Sequence, residues 1–151
     1  MKLIESIINV IQLNKALKLY GNYYSEHRKS IRSLLYYYTK IKNYNIAIWG
    51  AGLKGKAFLR VMDSNQQFIK YVYDIDEKKF GKGMPTGHKV VDFTKKANQD
   101  VKAVFLMNNT FETETASELA EHNMNVILIN VDSMIAGNLS AKDIIKINER
   151  N

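Results

Sequence analysis

The stretch that most constrains the fold of this chain is residues 46–55, where an apolar run leads directly into three spaced glycines. Ile46–Trp49 is apolar, and Gly50, Gly52 and Gly55 follow it in a G-x-G-x-x-G pattern, with a helical pattern beginning at once. Between a strand and a helix, the first glycine permits a tight turn, the second lets a diphosphate approach the backbone, and the third allows close packing. The stretch therefore predicts an anion-binding turn at a helix N-terminus.

The pattern after this turn alternates between short apolar strands and amphipathic helices. The strands are predicted at residues 46–49, 67–73, 89–91, 102–107 and 125–129, and the main helices at 53–63, 109–121 and from 140 onward. Such alternation is typical of an α/β domain, with a parallel sheet, right-handed crossovers and helices on both faces. We therefore expect a Rossmann-like three-layer domain with about five parallel strands, preceded by an N-terminal helical arm.

Glycine-rich or polar segments follow four of the predicted strands, at the sheet edge where ligands of such folds bind. They are Gly50–Gly55, Asp74–Asp76, Asn108–Asn109 and Asn130–Asp132. Asn109 and Glu112 have the spacing of a capping box, so Asn109 is better explained as a helix cap than as a ligand contact. Asn108 is the stronger candidate for an amide contact in the cleft.

Asp74 lies 19 residues after Gly55, at the end of the second predicted strand. An acid at this place accepts hydrogen bonds from a ribose diol, although aspartate is also common in ordinary turns. Asp76 is a second candidate for the same role. An acid disfavours a ribose 2′-phosphate, so the pattern predicts NAD or a nucleotide sugar in preference to NADP.

Three further residues are candidate contacts for the bound molecule. Ala51 lies within the glycine turn, and Lys54 flanks its third glycine, where it either offsets diphosphate charge or points to water. His88 follows Gly87 in a glycine-bearing loop that we expect near the mouth of the cleft, where it could contact a phosphate or sugar. A loop histidine without a carboxylate partner is more often incidental.

The composition excludes several classes of site. The chain has no cysteine, so it has no disulfide, thiolate metal site or cysteine nucleophile. It also lacks a nucleophile elbow, an H-E-x-x-H motif and a Walker lysine motif. No metal site is predicted and no catalytic residue is assigned. Whether the chain is an enzyme stays open.

The net charge of +7 belongs almost entirely to the first 43 residues, which hold eight basic and two acidic residues. We predict a helical arm over residues 1–43 and a nucleotide-binding domain over residues 44–151. Because the predicted domain is nearly neutral, DNA binding is not expected. The amino terminus is apolar but interrupted by Glu5 and Asn9 and too short to span a bilayer, so we expect a cytoplasmic protein.

The arm contains two predicted helices, over residues 3–20 and about 25–42, with a stop at Gly21-Asn22. Seven of the nine tyrosines fall within residues 20–44. One interpretation is a helical hairpin that packs on the domain or joins two copies into a homo-oligomer. The other is a surface for an acidic partner such as RNA, anionic lipid or a nucleotide sugar.

Three stretches resemble the carboxy-terminal domain of sugar C-methyltransferases. They are residues 25–35, the W-G-A-G-x-K-G turn from Trp49, and residues 71–90, which carry Asp74 and the loop Pro85-Thr86-Gly87-His88. Met107-Asn108 matches a later strand end. The loop is one glycine shorter than the P-G-T-G-H form of the family.

The resemblance implies a Rossmann-like domain that holds a nucleotide-linked sugar, with the glycine turn, Asp74, the residue 85–88 loop and Asn108 at the site. Family members are longer and carry a zinc module and an S-adenosylmethionine-binding domain before this one. Methyl transfer by this chain alone is therefore not expected. We predict an accessory subunit of sugar or surface-polysaccharide modification that works with a methyltransferase or another sugar-modifying enzyme. The alternatives are a small NAD-dependent oxidoreductase and an NAD-sensing regulatory domain.

Overall fold

A five-stranded parallel sheet forms the centre of the protein in a computed structural model that describes residues 2–108, 110 and 112–149. The strands are β1 (Ile46–Trp49), β2 (Ile69–Tyr73), β3 (Val90–Val91), β4 (Ala103–Leu106) and β5 (Ile127–Asn130). The helices are α1 (Lys2–Ser25), α2 (Arg28–Tyr36), α3 (Leu53–Met62), α4 (Glu112–Glu121), α5 (Val131–Ala136) and α6 (Ala141–Glu149). Helix α2 continues into a π-helical turn, Tyr37–Ile41.

The strand order is β3-β2-β1-β4-β5, and every neighbouring pair is parallel. The chain leaves β1 toward β2 and β3 on one side and returns to β4 and β5 on the other. The order reverses beside β1, and a ligand crevice is expected outside the carboxyl ends of β1 and β4. The predicted Rossmann-like α/β class is confirmed.

Apolar clusters cover both faces of the sheet, which explains why β1 and β4 are buried at every position. One cluster joins strand residues such as Ile48 and Phe105 to side chains of α1, α2, α3 and α6. The other joins Trp49, Tyr73 and Phe93 to Leu119 of α4. The sheet thus lies between two packed layers.

The arm contributes to the first of these clusters. Five of its side chains are almost fully buried there: Tyr24, Ile31, Leu34, Leu35 and Tyr38. The division of the chain between residues 43 and 44 stays a prediction about which part folds on its own.

The predicted helix stop at Gly21-Asn22 is wrong, because α1 runs through both residues to Ser25. Burial of Tyr24 against Phe58 of α3 outweighs the low helix propensity of one glycine. The short helix α5 after β5 was not predicted. The capping box assigned to Asn109 lies outside the described residues. Within the described part of the chain, none of the helices is both long enough and apolar enough to cross a membrane.

Candidate functional site

The glycine turn between β1 and α3 has the geometry that its spacing predicts. Gly50 adopts a φ of 124°, a conformation that strains any other residue. A Cβ at position 55 would lie 2.1 Å from the carbonyl oxygen of Gly50, so only glycine permits this packing of helix on strand. At Gly52, by contrast, no atom lies within 4 Å of the Cβ position. The space over Gly52 is open to a ligand.

A cleft of about 630 Å³ opens over this turn, at the carboxyl ends of β1, β2 and β4. Six of the predicted residues line it: Gly50, Gly52, Lys54, Gly55, Asp74 and Asn108. The volume is that of a small-molecule site. Since the first N–H groups of a helix have no partner within it, α3 presents backbone donors and its positive dipole end to this cleft.

Asp74 ties the glycine turn to the end of β2. Its Oδ2 accepts a 2.9 Å hydrogen bond from the N–H of Ala51, and its Oδ1 accepts one of 2.9 Å from the N–H of Asp76. The Nζ of Lys79 lies 3.7 Å from Oδ2. A carboxylate has about four acceptor positions, so Asp74 can still accept from a ligand hydroxyl on the cleft side.

Ala51 and Asp76 support the turn without lining the cleft. Ala51 is 4% exposed and contributes its N–H to Asp74. Asp76 accepts a 3.0 Å hydrogen bond from the N–H of Lys78 and so caps the 3₁₀ turn Glu77–Lys79. Of the two carboxylates, only Asp74 lines the cleft.

Lys54 forms an ion pair with Asp132, a residue outside the cleft lining that the sequence analysis did not assign to the site. Its Nζ lies 2.5 Å from Oδ2 of Asp132, in the first turn of α5, and 5.9 Å from the centre of the Tyr20 ring. Oδ1 of Asp132 accepts a 3.2 Å hydrogen bond from the hydroxyl of Tyr23. Burial, aided by the charge of Asp132, raises the pKa of Tyr23 to about 12, so this hydroxyl remains a donor.

The arm thereby takes part in the site, because Tyr20 of α1 forms one wall of the cleft. The sequence signal for this was the crowding of tyrosines in residues 20–44, which does not reveal which of them reaches the cleft. Asp132 follows β5, at a strand end already expected to face the ligand edge.

Helix α4 supplies the opposite wall with Glu114, Thr115 and Glu118. Beside them the cleft is lined by the apolar side chains of Trp49, Ile75, Leu106 and Met107. Asn108 lies at the rim, where its Oδ1 accepts a 3.0 Å hydrogen bond from the N–H of Thr110. These apolar and acidic side chains line the cleft together, and no motif identified them beforehand.

His88 does not lie at the mouth of the cleft, contrary to the expectation from its loop. It is 3% exposed, and its Nε2 lies 2.8 Å from Oδ2 of Asp63 at the amino end of β2. Its Nδ1 lies 2.5 Å from the hydroxyl oxygen of Thr86. Asp63 also accepts hydrogen bonds from the N–H groups of residues 67, 68 and 69. The buried carboxylate that holds this histidine comes from 25 residues earlier, a pairing that only the fold creates.

The cleft brings together groups of three chemical kinds. Backbone N–H groups and Lys54 suit an anion, Asp74 suits a diol, and the apolar side chains suit a ring. Among residues 2–108, 110 and 112–149, no three histidine or acidic side chains are grouped closely enough to hold a metal ion.

A family model, that of the C-methyltransferase C-terminal domain, matches residues 9–127. The chain belongs to this family. The match extends from the middle of α1 to the start of β5 and includes the glycine turn, Asp74 and Asn108. No curated protein matches the sequence.

Two solved structures are similar to the chain. Each is 21% identical to it, has a TM-score of 0.40 and matches 74% of the present chain. One is described as RSP, a Rex-family repressor, and the other as RSP in complex with beta-NADH. The match covers 64% of the repressor chain and 65% of the chain in the complex. At this level the likeness bears on neither the ligand nor the function of the present chain.

Proposed function

We propose that this domain binds a nucleotide-linked sugar in the cleft over the glycine turn and serves as an accessory subunit of sugar modification, in concert with a methyltransferase. The observation that carries the proposal is the open space at Gly52, next to a carboxylate fixed at the end of β2. Membership of the C-methyltransferase C-terminal domain family supports the link to sugar methylation.

The proposed pose follows from the order of groups along the cleft. The diphosphate lies on the N–H groups at the start of α3, and the ribose diol donates to Asp74. The base then occupies the slot between Ile75 and Thr115, with Glu118 accepting from a ring N–H or exocyclic amine. The sugar extends the other way, toward Lys54 and Tyr20.

In this role the chain holds a substrate that a partner enzyme modifies. The described cleft residues offer acceptors, donors and apolar surface, and the nearest lysine is engaged with Asp132. Turnover therefore depends on groups that a partner brings to the sugar end of the cleft. We propose that this chain and its partner enzyme together make precursors of surface polysaccharides.

NAD is the second candidate ligand, since the glycine turn and Asp74 also suit the adenosine half of a dinucleotide. On that alternative the nicotinamide takes the place of the sugar near Tyr20, and the chain acts as an NAD-dependent oxidoreductase or an NAD sensor. In either case the carboxylate of Asp74 disfavours NADP, because it repels the ribose 2′-phosphate.

Thermal-shift measurements against nucleoside diphosphates, nucleotide sugars, NAD, NADP and S-adenosylmethionine test the proposal. A ligand at a hundred times its dissociation constant stabilises the fold by about 2.7 kcal/mol. We expect the largest shift with a nucleotide sugar. A shift with NAD alone would favour the second candidate, and no shift with any nucleotide would exclude the site.

A pair of glycine variants provides the matched control. Gly52→Leu should abolish the shift, because its side chain fills the space of the diphosphate, while the protein stays folded. Gly21→Leu is its counterpart, since position 21 also has no atom within 4 Å of a Cβ but lies outside the cleft. Equal binding by both variants would mean that the turn is only a structural corner.

A further inference from the structure

A second cavity lies at the opposite end of β2 from the cleft. It measures about 730 Å³ and is bounded by the end of α1, one side of α2 and Phe68, the residue that precedes β2. The cleft opens at the carboxyl ends of the strands, whereas Phe68 lies at the amino end of β2. The two cavities share no lining residue. The second cavity is therefore separate from the proposed nucleotide site.

One side of α2 supplies most of the lining. Arg28, Lys29, Arg32, Ser33 and Tyr36 line the cavity at steps of one, three, one and three residues, which places them on the same side of a helix. The opposite side of α2 is buried in the core. The sequence of α2 thus specifies one side for packing and one side that carries cations. We refer to the space beside the cations as the basic cavity.

The cations of the basic cavity have no carboxylate partner. Among residues 2–108, 110 and 112–149, no acidic side chain forms an ion pair with Arg28, Lys29 or Arg32, although Glu26 lines the same cavity. Lysines elsewhere do form such pairs, at positions 42, 54, 70 and 79. Three cations and one carboxylate give the lining a net charge of +2.

Arg32 is held by an aromatic ring and not by an acceptor. Its guanidinium carbon lies 5.4 Å from the centre of the Phe68 ring, and its Nε is buried without a hydrogen-bond partner. Arg28 differs, because its Nε donates a 3.2 Å hydrogen bond to the carbonyl oxygen of Val61 near the end of α3. Stacking fixes the plane of the Arg32 guanidinium and leaves its donors without an acceptor. A guanidinium fixed in this way suits a two-pronged contact with phosphate.

The cations do not serve to stabilise α2. Cations near the amino end of a helix oppose its dipole, and Arg28 and Lys29 occupy the first two positions of α2, whose first turn has no acidic residue. The side chain of His27, just before the helix, makes no capping hydrogen bond. A bound anion would offset both the cations and the dipole. A ligand therefore explains this arrangement better than the stability of the arm does.

We propose that the basic cavity binds a phosphate group carried by an organic molecule. A dianion matches the excess of two positive charges, and the Arg32 guanidinium and the Lys29 ammonium are donors that suit phosphate. The cavity is larger than a phosphate. Tyr36, which is 53% exposed, gives the rest of the ligand an aromatic surface. The phosphate belongs either to a soluble ester or to a lipid head group, and the chemistry recognised is the same.

Titration of the full chain with inorganic phosphate and with glycerol phosphate tests the site, followed by the NMR signals of the arginine Nε–H groups. We expect the Arg32 signal to shift and saturate, and Lys29→Gln to weaken binding about tenfold. The control Lys40→Gln removes an exposed charge of the same arm outside the cavity and should leave the affinity unchanged. Equal effects of the two lysine variants would overturn the proposal.

Arg32→Lys separates a built phosphate site from a general positive charge. It keeps the charge and removes the planar fork, so binding followed by the Arg28 signal should also weaken about tenfold. Unchanged binding by this variant would overturn the proposal. Nucleotide-sugar binding in the cleft should be unaffected by Lys29→Gln, so this proposal and that of the cleft fail independently.

Vesicle flotation distinguishes the two sources of the phosphate. Phosphatidylcholine vesicles are compared with and without phosphatidic acid. Retention that requires phosphatidic acid, is lost in Lys29→Gln and persists in Lys40→Gln would support the proposal and assign the phosphate to a lipid. Saturable binding of glycerol phosphate without retention would support it and assign the phosphate to a soluble ester. Binding of neither probe would overturn it.

Discussion

Lys54 and Asp132 stand 78 residues apart in the chain, and their charged groups meet at 2.5 Å beside the cleft. Both side chains are partly buried, and Asp132 is also held by Tyr23 of α1. The pair thus connects the helix that begins at the glycine turn with the end of β5 and with the arm. It also holds the cation nearest to the proposed diphosphate.

We expect substitutions of Lys54 and of Asp132 to change ligand affinity in opposite directions. Lys54→Met should weaken binding of the nucleotide diphosphate about tenfold, or about 1.4 kcal/mol, because the cation is lost. Asp132→Asn should strengthen it, since Lys54 no longer shares its charge with a carboxylate. Isothermal titration calorimetry measures both. Lys56→Met, outside the cleft lining, is the control; a loss equal to that of Lys54→Met would mean a general charge effect.

Asp74→Ala should reduce ribonucleotide affinity by about tenfold to a hundredfold, because it removes the acceptor for the ribose and the anchor of Ala51 at once. The matched variant Asp76→Ala removes only the cap of a 3₁₀ turn and should bind almost normally. Fluorescence titration with a nucleotide sugar compares them. If Asp76→Ala is the weaker binder, the ribose role belongs to Asp76.

Gly55→Ala should lower the free energy of unfolding by about 3 kcal/mol, because the added Cβ meets the Gly50 carbonyl oxygen and the helix must move off the strand. Gly52→Ala meets no atom and should change stability little. Urea unfolding followed by tryptophan fluorescence is suitable, since Trp49 precedes the turn. Equal free energies of unfolding for the two variants would show that α3 moves off the strand without a loss of stability.

His88→Ala should destabilise the protein by about 2–3 kcal/mol, because it leaves the buried carboxylate of Asp63 without its side-chain partner. Ligand affinity, measured below the new unfolding transition, should not change. His27→Ala, in the loop between α1 and α2, should cost less than about 1 kcal/mol. If His88→Ala instead lost ligand binding and kept its stability, His88 would be a ligand contact.

The stability of the fold should fall as the pH rises from about 10 to about 12. The pKa of Tyr23 is raised to about 12 in the fold, by burial and by Asp132, against an ordinary value of 10.0. The folded state therefore retains a proton that the unfolded chain loses in this interval, and the stabilisation present below pH 10 is lost. Urea unfolding at several alkaline pH values should show a shallower decline for Tyr23→Phe. Tyr36→Phe, at an exposed position, should follow the wild type.

The sequence by itself determined the fold class and the turn at its centre. Strand β1 was placed at its observed residues, because a short apolar run before glycines has few alternatives. The glycine spacing and the position of Asp74 depend on local backbone geometry, and so they could be read along the chain. The family model matches residues 9–127, a range that includes these stretches.

Only the tertiary structure decided which distant side chains meet. It paired His88 with Asp63 at the far end of β2, and Lys54 with Asp132 at the cleft, because strand order sets these distances and sequence spacing does not. Helix α1 also continues through Gly21, since the burial of Tyr24 outweighs the low helix propensity of one glycine. The structure also showed that residues 3–14 of α1 are exposed, which the sequence left undecided because periodicity identifies an apolar face but not what covers it.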